Sequence, residues 1–409
     1  MLSYHTCPLA TLGGKDTGGM NVYVRELTKQ LGNDCIHVDV FTRSQDDHVP
    51  HVLHDLGHCN RVVHIPAGPE VPLPKPDLVN YLPEFTRGIL EFSQTKGLHY
   101  DLIHSHYWMS GLAANDLRLA WKRPDMPIVH MFHTLGVMKQ RVARLPDEAE
   151  GAYRLEGEHQ VLKLADRIVA ATPAELAQLQ WLYQADDSKV VVIPPGVDTS
   201  RFYPIPADEA KEFIGVPPCE RMLLFVGRIE PLKGIDNLIK AIGLMSANQV
   251  FVCLTIIGGE PDDTLDSSNT EMSRLKVMCE EAGVSDLVFF MGKRSQETLP
   301  YYYSAAEAVV VPSHYESFGM VALEAMSCGV PVVASQVGGL AYLVQDGITG
   351  FTVPVDEPEE LADRLTRIVC NPDLRRELGN QATIVAKEYA WENIANRIVS
   401  LYKDLIENS

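Results

Sequence analysis

Four patterns are missing from this chain: it has no Cys-x-x-Cys pair, no Gly-x-Gly, no Asp-x-Asp and no Gly-x-Ser-x-Gly. Without Gly-x-Ser-x-Gly there is no nucleophile elbow, which argues against a serine hydrolase. Without Gly-x-Gly or a Gly-Lys-Ser/Thr ending, the dinucleotide fingerprint and the P-loop are both absent. Without Asp-x-Asp, a divalent ion lacks the carboxylate pair that would let it carry a diphosphate. The eight cysteines are scattered, and Cys253, Cys328 and Cys370 lie in apolar runs, where buried free thiols of a reducing cytosol are expected. No apolar stretch approaches the ~18 residues that span a bilayer. The opening MLSYHTCPLATLGG has neither a basic region nor an apolar one after it, so no signal peptide and a cytoplasmic location are expected. Met1-Leu2-Ser3 resembles the end of a buried strand whose beginning is missing. Positive charge is scarce as well: 35 Lys and Arg against 54 Asp and Glu leave a net charge of −19, which argues against broad nucleic-acid binding. A phosphate site in such a protein must be a local gathering of cations and backbone N–H groups.

What is present is a steady alternation of short β-branched runs and helical patterns. Strands are expected at Cys35–Thr42, Leu102–His106, Ile128–His133, Arg167–Ala171 and Val190–Ile193. A second set is expected at Met222–Val226, Phe251–Ile257, Leu287–Met291, Ala308–Val311, Val330–Ala334 and Gly350–Val353. Amphipathic segments such as Tyr23–Leu31, Ala152–Leu164, Ile235–Met245 and Thr270–Ala282 fall between them. Near-continuous apolar strands alternating with helices imply an α/β protein with parallel sheets covered on both faces. At 409 residues two domains are the default, and Pro204, Pro206, Pro217 and Pro218 mark the boundary. Two Rossmann-like doubly wound domains are expected, 1–203 and 204–385, with the C-terminal helix 386–409 packing back on the first. Ligands of such sheets bind at the carboxyl ends of strands, in a cleft between the domains.

The stretch VPSHYESFGMVALEAMSCGVPVV, 311–333, carries the clearest chemistry. Ser317, Phe318 and Gly319 form a turn that opens a helix, and the free N–H groups at Gly319, Met320 and Val321 attract an anion. Glu316 before the turn and Glu324 two turns into the helix are placed to grip hydroxyls on either side of a phosphate, the layout of a sugar nucleotide. An ordinary helix between two buried strands is the plainer reading. In FVGRIEPLKG, Arg228 and Lys233 follow a strand and are suited to neutralising a diphosphate and the charge that builds on it as it leaves. A salt bridge from Arg228 to Glu230 is the alternative. The loop from Gly13 through Asp16, Gly18 and Gly19 to Asn21 precedes a helix, and its four glycines favour close approach of a ligand.

In the first half, His104-x-His106 with Tyr107 ends one strand, and His133-Thr134 ends the next. Further ligands at sensible spacing for a metal pair are not evident, so hydroxyl recognition by His133 and anion binding by Tyr107 and Thr134 are expected. Lys75 and Arg154 add two cations. His48, His51, His54, His58, Cys59 and His64 make a histidine-rich stretch that reads as a polar loop and strand edge, with a metal site as the lesser alternative.

In order along the chain, GGMNVYV, HSHYWMSG, FHTLG, ADRIVAAT, IPPGVD, VGRIEPLKG, IGG, ESFGMVALEA and GGL resemble the retaining glycosyltransferases of family 4, which have the two-domain GT-B fold. The resemblance implies a UDP-sugar donor as co-substrate, no cofactor and no catalytic metal. It implies that Glu316 contacts the donor sugar, Glu324 the ribose, Arg228 and Lys233 the diphosphate, and Arg294 the uracil region. Lys75, Tyr107, Thr134 and Arg154 would bind the phosphate of a phosphorylated sugar or polyol acceptor, with His5 and the Asp16–Asn21 loop on its hydroxyls. Two groups within the family are similar: bacterial sucrose-phosphate synthases, and the enzymes that join UDP-N-acetylglucosamine to an inositol phosphate in mycothiol synthesis. The preferred expectation is sucrose 6-phosphate formation from UDP-glucose and fructose 6-phosphate, with the inositol phosphate reaction second and a non-catalytic nucleotide-sugar sensor third. No nucleic-acid partner and no membrane insertion are expected, and a homodimer is compatible with the sequence.

Overall fold

The computed structural model describes residues 1–11, 17–57, 59–143, 151–215, 221–259 and 270–408. Within them the chain forms two units, one built from 1–11, 17–194 and 391–408, the other from 195–390. The boundaries expected at 203/204 and 385/386 therefore fall at 194/195 and 390/391. The prolines at Pro204 and Pro206 punctuate a segment already packed in the second unit, where Ser327 donates to the carbonyl of Phe202 (2.6 Å).

The first unit contains β1 (Asp39–Arg43), β2 (Val52–Leu53), β3 (Arg61–Ile65), β4 (Ile103–His106), β5 (Ile128–Met131), β6 (Arg167–Ala170) and β7 (Val190–Val192). Leu2 bridges Phe41 of β1 and Ser105 of β4, so the two halves of the sheet join in the order β2-β3-β1-Leu2-β4-β5-β6-β7. All pairings are parallel except that of β2, which runs against β3. The helix Trp391–Glu407 closes this unit: the Trp391 ring meets Tyr23 edge-on at 5.4 Å, and the Tyr402 hydroxyl lies 2.6 Å from His104 Nδ1.

The second unit contains β8 (Met222–Val226), β9 (Cys253–Ile257), β10 (Val288–Phe290), β11 (Ala308–Val311), β12 (Val332–Ser335) and β13 (Gly350–Val353). They form one parallel sheet in the order β10-β9-β8-β11-β12-β13. Chain order reverses between β8 and β11, and the crevice at such a reversal, outside the carboxyl ends of the strands, is where doubly wound sheets bind ligands. The loops leaving β8 and β11 carry Arg228 and Lys233, and Glu316. Strands β8 (MLLFV), β11 (AVVV) and β12 (VVAS) are almost wholly buried and mostly apolar, as a sheet covered on both faces requires.

Some expectations change. The strand expected from Cys35 starts at Asp39, because Cys35 has φ 61° and ends the turn after a helix. β3 lies inside the histidine-rich stretch: His64 is buried in it, beside Cys7 Sγ at 3.3 Å. His48 and His51 are exposed and pair with Asp47 and Glu70, and His58 lies outside the described residues. Cys253 is disulfide-bonded rather than a free thiol, and Cys370 is exposed; Cys328 is buried and free. Among the described residues no helix is long and apolar enough to cross a membrane.

Candidate functional site

In the second unit the site begins where β8 ends. Gly258, at φ 148°, passes so close to Gly227 that a Cβ there would lie 1.8 Å from the Gly227 carbonyl oxygen. The two loop backbones are therefore in contact, and only glycine permits it. Arg228 follows, a third exposed, with Nη1 2.8 Å from Glu230. The alternative raised from the sequence, a pairing with Glu230, is thus present.

The chain then makes a single 3-10 turn, Pro231–Lys233, closed by Gly234 at φ 65°. A Cβ on Gly234 would stand 2.1 Å from the Pro312 carbonyl, and the His314 N–H donates to Leu232 O at 2.9 Å. This turn is thereby pinned to the loop after β11, and Lys233 Nζ donates to Glu316 Oε2 at 2.6 Å. Both side chains remain about one-fifth exposed, so the ammonium is held in place yet reachable.

The Glu316 loop has its own brace. The Gly339 N–H donates to Glu316 O at 3.0 Å, and a Cβ on Gly338 would lie 2.0 Å from the same oxygen. Gly319, at φ 108°, caps the helix Met320–Ser327 without a side chain, and a Cβ there would meet Leu340 at 2.5 Å. With no side-chain cap, the first N–H groups of that helix point outward unpaired within it, and its dipole favours an anion. Glu324 is buried on the same helix and accepts from the Tyr303 hydroxyl at 2.7 Å. Burial and this carboxylate hold the Tyr303 phenol well above its ordinary range. Arg294 follows β10; its Nε donates to Tyr302 Oη at 2.9 Å and its Nη1 to Lys293 O at 2.9 Å.

In the first unit the residues expected to meet an acceptor collect around one ring. Tyr107, in a left-handed backbone conformation (φ 69°), is buried at the end of β4. Lys75 Nζ stands 5.8 Å from its ring centre and the Arg154 guanidinium carbon 5.0 Å, while the His5 ring packs at 4.3 Å. Arg154 Nη2 donates to Thr134 O (2.7 Å) and Thr134 Oγ1 (3.0 Å). Lys75, Tyr107, Thr134, Arg154 and His5 are therefore neighbours, brought together from five segments. The helix turn Lys75–Leu78 is seated by the Tyr4 hydroxyl on Leu78 O (2.7 Å), and the loop before it by the wholly buried Arg43, which donates to Ala67 O and Val71 O.

Two features of this set were not anticipated. Arg154 is fully buried, and its Nε donates to Glu158 Oε1 at 2.7 Å. Glu158 in turn accepts the Gly136 N–H at 3.0 Å and the Tyr183 hydroxyl, which accepts the Val137 N–H at 3.0 Å. The Arg154–Glu158 spacing, one helical turn, is visible in the sequence; the Tyr183 contribution is not. Asn21 is the second. Its side chain donates to Thr6 Oγ1 and Cys7 O, accepts the Gly18 N–H at 2.9 Å, and is 1% exposed. Its amide thereby braces the start of the helix Gly19–Asn33. Asp16, with Gly13 and Gly14, lies outside the described residues.

His133 has φ 62° and its Nε2 lies 3.0 Å from His106 Nδ1. Burial lowers its pKa from 6.5 to about 3, so the ring is neutral at ordinary pH. A neutral imidazole is suited to hydrogen bonding with a hydroxyl and unsuited to anchoring a phosphate.

The chain matches the model of the Glycosyltransferase Family 4 domain over residues 17–201 and that of Glycosyl transferases group 1 over 207–385. It is 39% identical to D-inositol 3-phosphate glycosyltransferase 2 of Catenulispora acidiphila, covering 100% of this chain and 95% of that one. It is also 39% identical to D-inositol 3-phosphate glycosyltransferase of Actinosynnema mirum, covering 98% and 96%. Among solved structures, sucrose-phosphate synthase from Thermosynechococcus elongatus superposes with a TM-score of 0.90 at 34% identity, over 100% of this chain and 98% of that one. Anabaena HepE, solved with UDP-glucose, shares the fold at a TM-score of 0.75 and 18% identity, over 98% and 99%. With both halves of the chain matched and full-length relatives at this identity, the chain belongs to the retaining GT-B glycosyltransferases of family 4.

Proposed function

We propose that this glycosyltransferase moves a hexosyl group from a UDP-sugar to an inositol phosphate. The observation that carries the acceptor class is the grouping of Lys75, Arg154, Thr134 and His5 around Tyr107: two cations and a hydroxyl on one aromatic ring suit a phosphate on a polyol. The relatives at 39% identity, named for inositol 3-phosphate, favour that acceptor over the fructose 6-phosphate preferred from the sequence. The sucrose-phosphate synthase at 34% identity supports fructose 6-phosphate as the second reading.

On the donor side, Lys233 and Arg228 neutralise the diphosphate, helped by the N–H groups of Met320 and Val321 beyond Gly319. In this reading Gly18 and Gly19, at the start of the helix Gly19–Asn33, also make a backbone contact with the donor. Glu316 orients the sugar, Glu324 takes the ribose and Arg294 the uracil region. As UDP departs, negative charge grows on its phosphate, and fixed cations stabilise that charge without a proton donor. The acceptor hydroxyl attacks from the face that UDP leaves, its proton passing to the donor phosphate. His133 hydrogen-bonds the sugar. No metal has a part in this scheme, and turnover is expected to persist in excess EDTA.

The test crosses two donors, UDP-glucose and UDP-N-acetylglucosamine, with two acceptors, inositol phosphate and fructose 6-phosphate, and measures UDP release. Turnover confined to fructose 6-phosphate overturns the preferred acceptor. Lys75→Ala is expected to raise KM for the phosphorylated acceptor while leaving UDP affinity unchanged; equal losses for both ligands would reassign Lys75.

A further inference from the structure

Four histidine rings of the first unit lie together on β4 and β5 and just beyond them: His104, His106, His130 and His133. Their hydrogen bonds follow one pattern. His104 Nδ1 meets Tyr402 Oη at 2.6 Å, His130 Nδ1 meets Ser105 Oγ at 2.8 Å, and His106 Nδ1 meets His133 Nε2 at 3.0 Å. The Nε2 atoms of His104, His106 and His130 are all buried without a hydrogen-bond partner among the described residues.

A single proton joins two neutral imidazoles, and it has two places to sit. If it belonged to His133 Nε2, His106 would accept through Nδ1 and carry its own proton on Nε2, buried with nothing to receive it. If it belongs to His106 Nδ1, the buried Nε2 of His106 is only a bare lone pair. Orphaned buried N–H groups are rarer and costlier than under-used acceptors. The same choice puts the proton of His104 and of His130 on Nδ1 as well, toward an oxygen in each case. A cationic ring would satisfy both nitrogens no better, since the rings that face His106 are those of His104 (4.3 Å), His133 (5.2 Å) and Tyr23 (5.6 Å), none of them an anion.

We infer that His106 is a positioning residue that fixes His133 as the tautomer protonated on Nδ1, so that His133 meets its ligand as a hydrogen-bond donor and not as a proton acceptor. The backbone of His133, at φ 62°, and the edge of Tyr23 at 5.3 Å hold the ring while His106 sets its proton. The C-terminal helix supports the arrangement at one remove, through Tyr402 and His104. This role of His133 toward substrate rests on the transferase reading above; the tautomer itself does not.

Long-range 1H–15N correlation on the histidine-labelled full chain at neutral pH reads each ring nitrogen directly, with a His133→Gln sample for assignment. The expected spectrum shows His133 protonated on Nδ1 and bare on Nε2, and His106 likewise. A proton on His133 Nε2 overturns the inference. His106→Leu is expected to mix the two forms of His133 and lower kcat about tenfold, the scale of one lost hydrogen bond, with little change in acceptor KM. His106→Asn, whose amide donates from a similar position, is expected to restore both. A pure Nδ1 tautomer in His106→Leu would remove the role of His106. Absence of any transfer with the expected tautomer present would count against the transferase reading alone.

Discussion

The two units are both built on a largely parallel sheet, the first with an antiparallel edge strand β2 and the second parallel throughout, yet they hold their candidate residues in opposite ways. The second unit keeps its candidate charges near the surface, apart from the buried Glu324. Arg228, Lys233 and Glu316 ride on short loops, partly exposed, and those loops are fixed by backbone contacts at Gly234, Gly258 and Gly338 that a Cβ would break. The first unit buries its polar groups. The histidines on and just beyond β4 and β5 are stripped of charge by desolvation, and the buried cation beside Tyr107, Arg154, is matched by a buried carboxylate. Loops that meet a departing diphosphate need reachable cations; a pocket that must tell one hydroxyl from another needs fixed, neutral hydrogen-bonding groups.

Removing Glu158 should break the first half of this comparison most severely. Glu158→Ala removes the buried carboxylate that accepts from Arg154 Nε, the Gly136 N–H and the Tyr183 hydroxyl, and a loss of about 3–5 kcal/mol in unfolding free energy is expected. A denaturant titration checks it, and a loss under 1 kcal/mol would show that Arg154 is not held by this pair. Lys233→Ala tests the second half: turnover should fall by roughly 100-fold or more, as when a charge-stabilising donor is removed, with a thermal midpoint near that of the parent. Unchanged turnover would strip Lys233 of its assigned role.

The buried rings also set a pH signature. In the unfolded chain they take up protons below 6.5, whereas in the fold His130 and His133 stay bare until about 3. The unfolded state therefore binds more protons across that window, and stability falls as pH drops from 6.5 toward 3. His130→Gln should lose less over the same interval; an identical profile would mean that the rings do not govern it. Glu230→Ala, at the exposed pair with Arg228, should change stability by no more than about 1 kcal/mol, the smallest effect of the set.

Much of the second unit's site was legible because its residues sit in short, continuous motifs at strand ends. Gly227-Arg228, Lys233, and Glu316 to Glu324 each follow a strand whose apolar run is plain in the sequence. The first unit was harder. His64 and Arg61 disguised β3 as a polar stretch, and the pairing of Tyr183 with Glu158 joins two helices with no local signal. His106 and His133 are far apart in sequence, and only the parallel pairing of β4 with β5, His106 against Met131, brings their rings together. Asn21 is a related case: nothing local in the sequence shows that its amide braces the helix start beside it.

The return of the helix Trp391–Glu407 to the first unit has a consequence for how the protein is made. Tyr402 reaches a partner 298 positions earlier in the chain, so the second unit emerges from the ribosome in full before the first can close. Until then Tyr23 and His104 lack their cover, and closing so long a loop is entropically slow. A released chain truncated before Trp391 should therefore show the second unit folded and the first still open to protease.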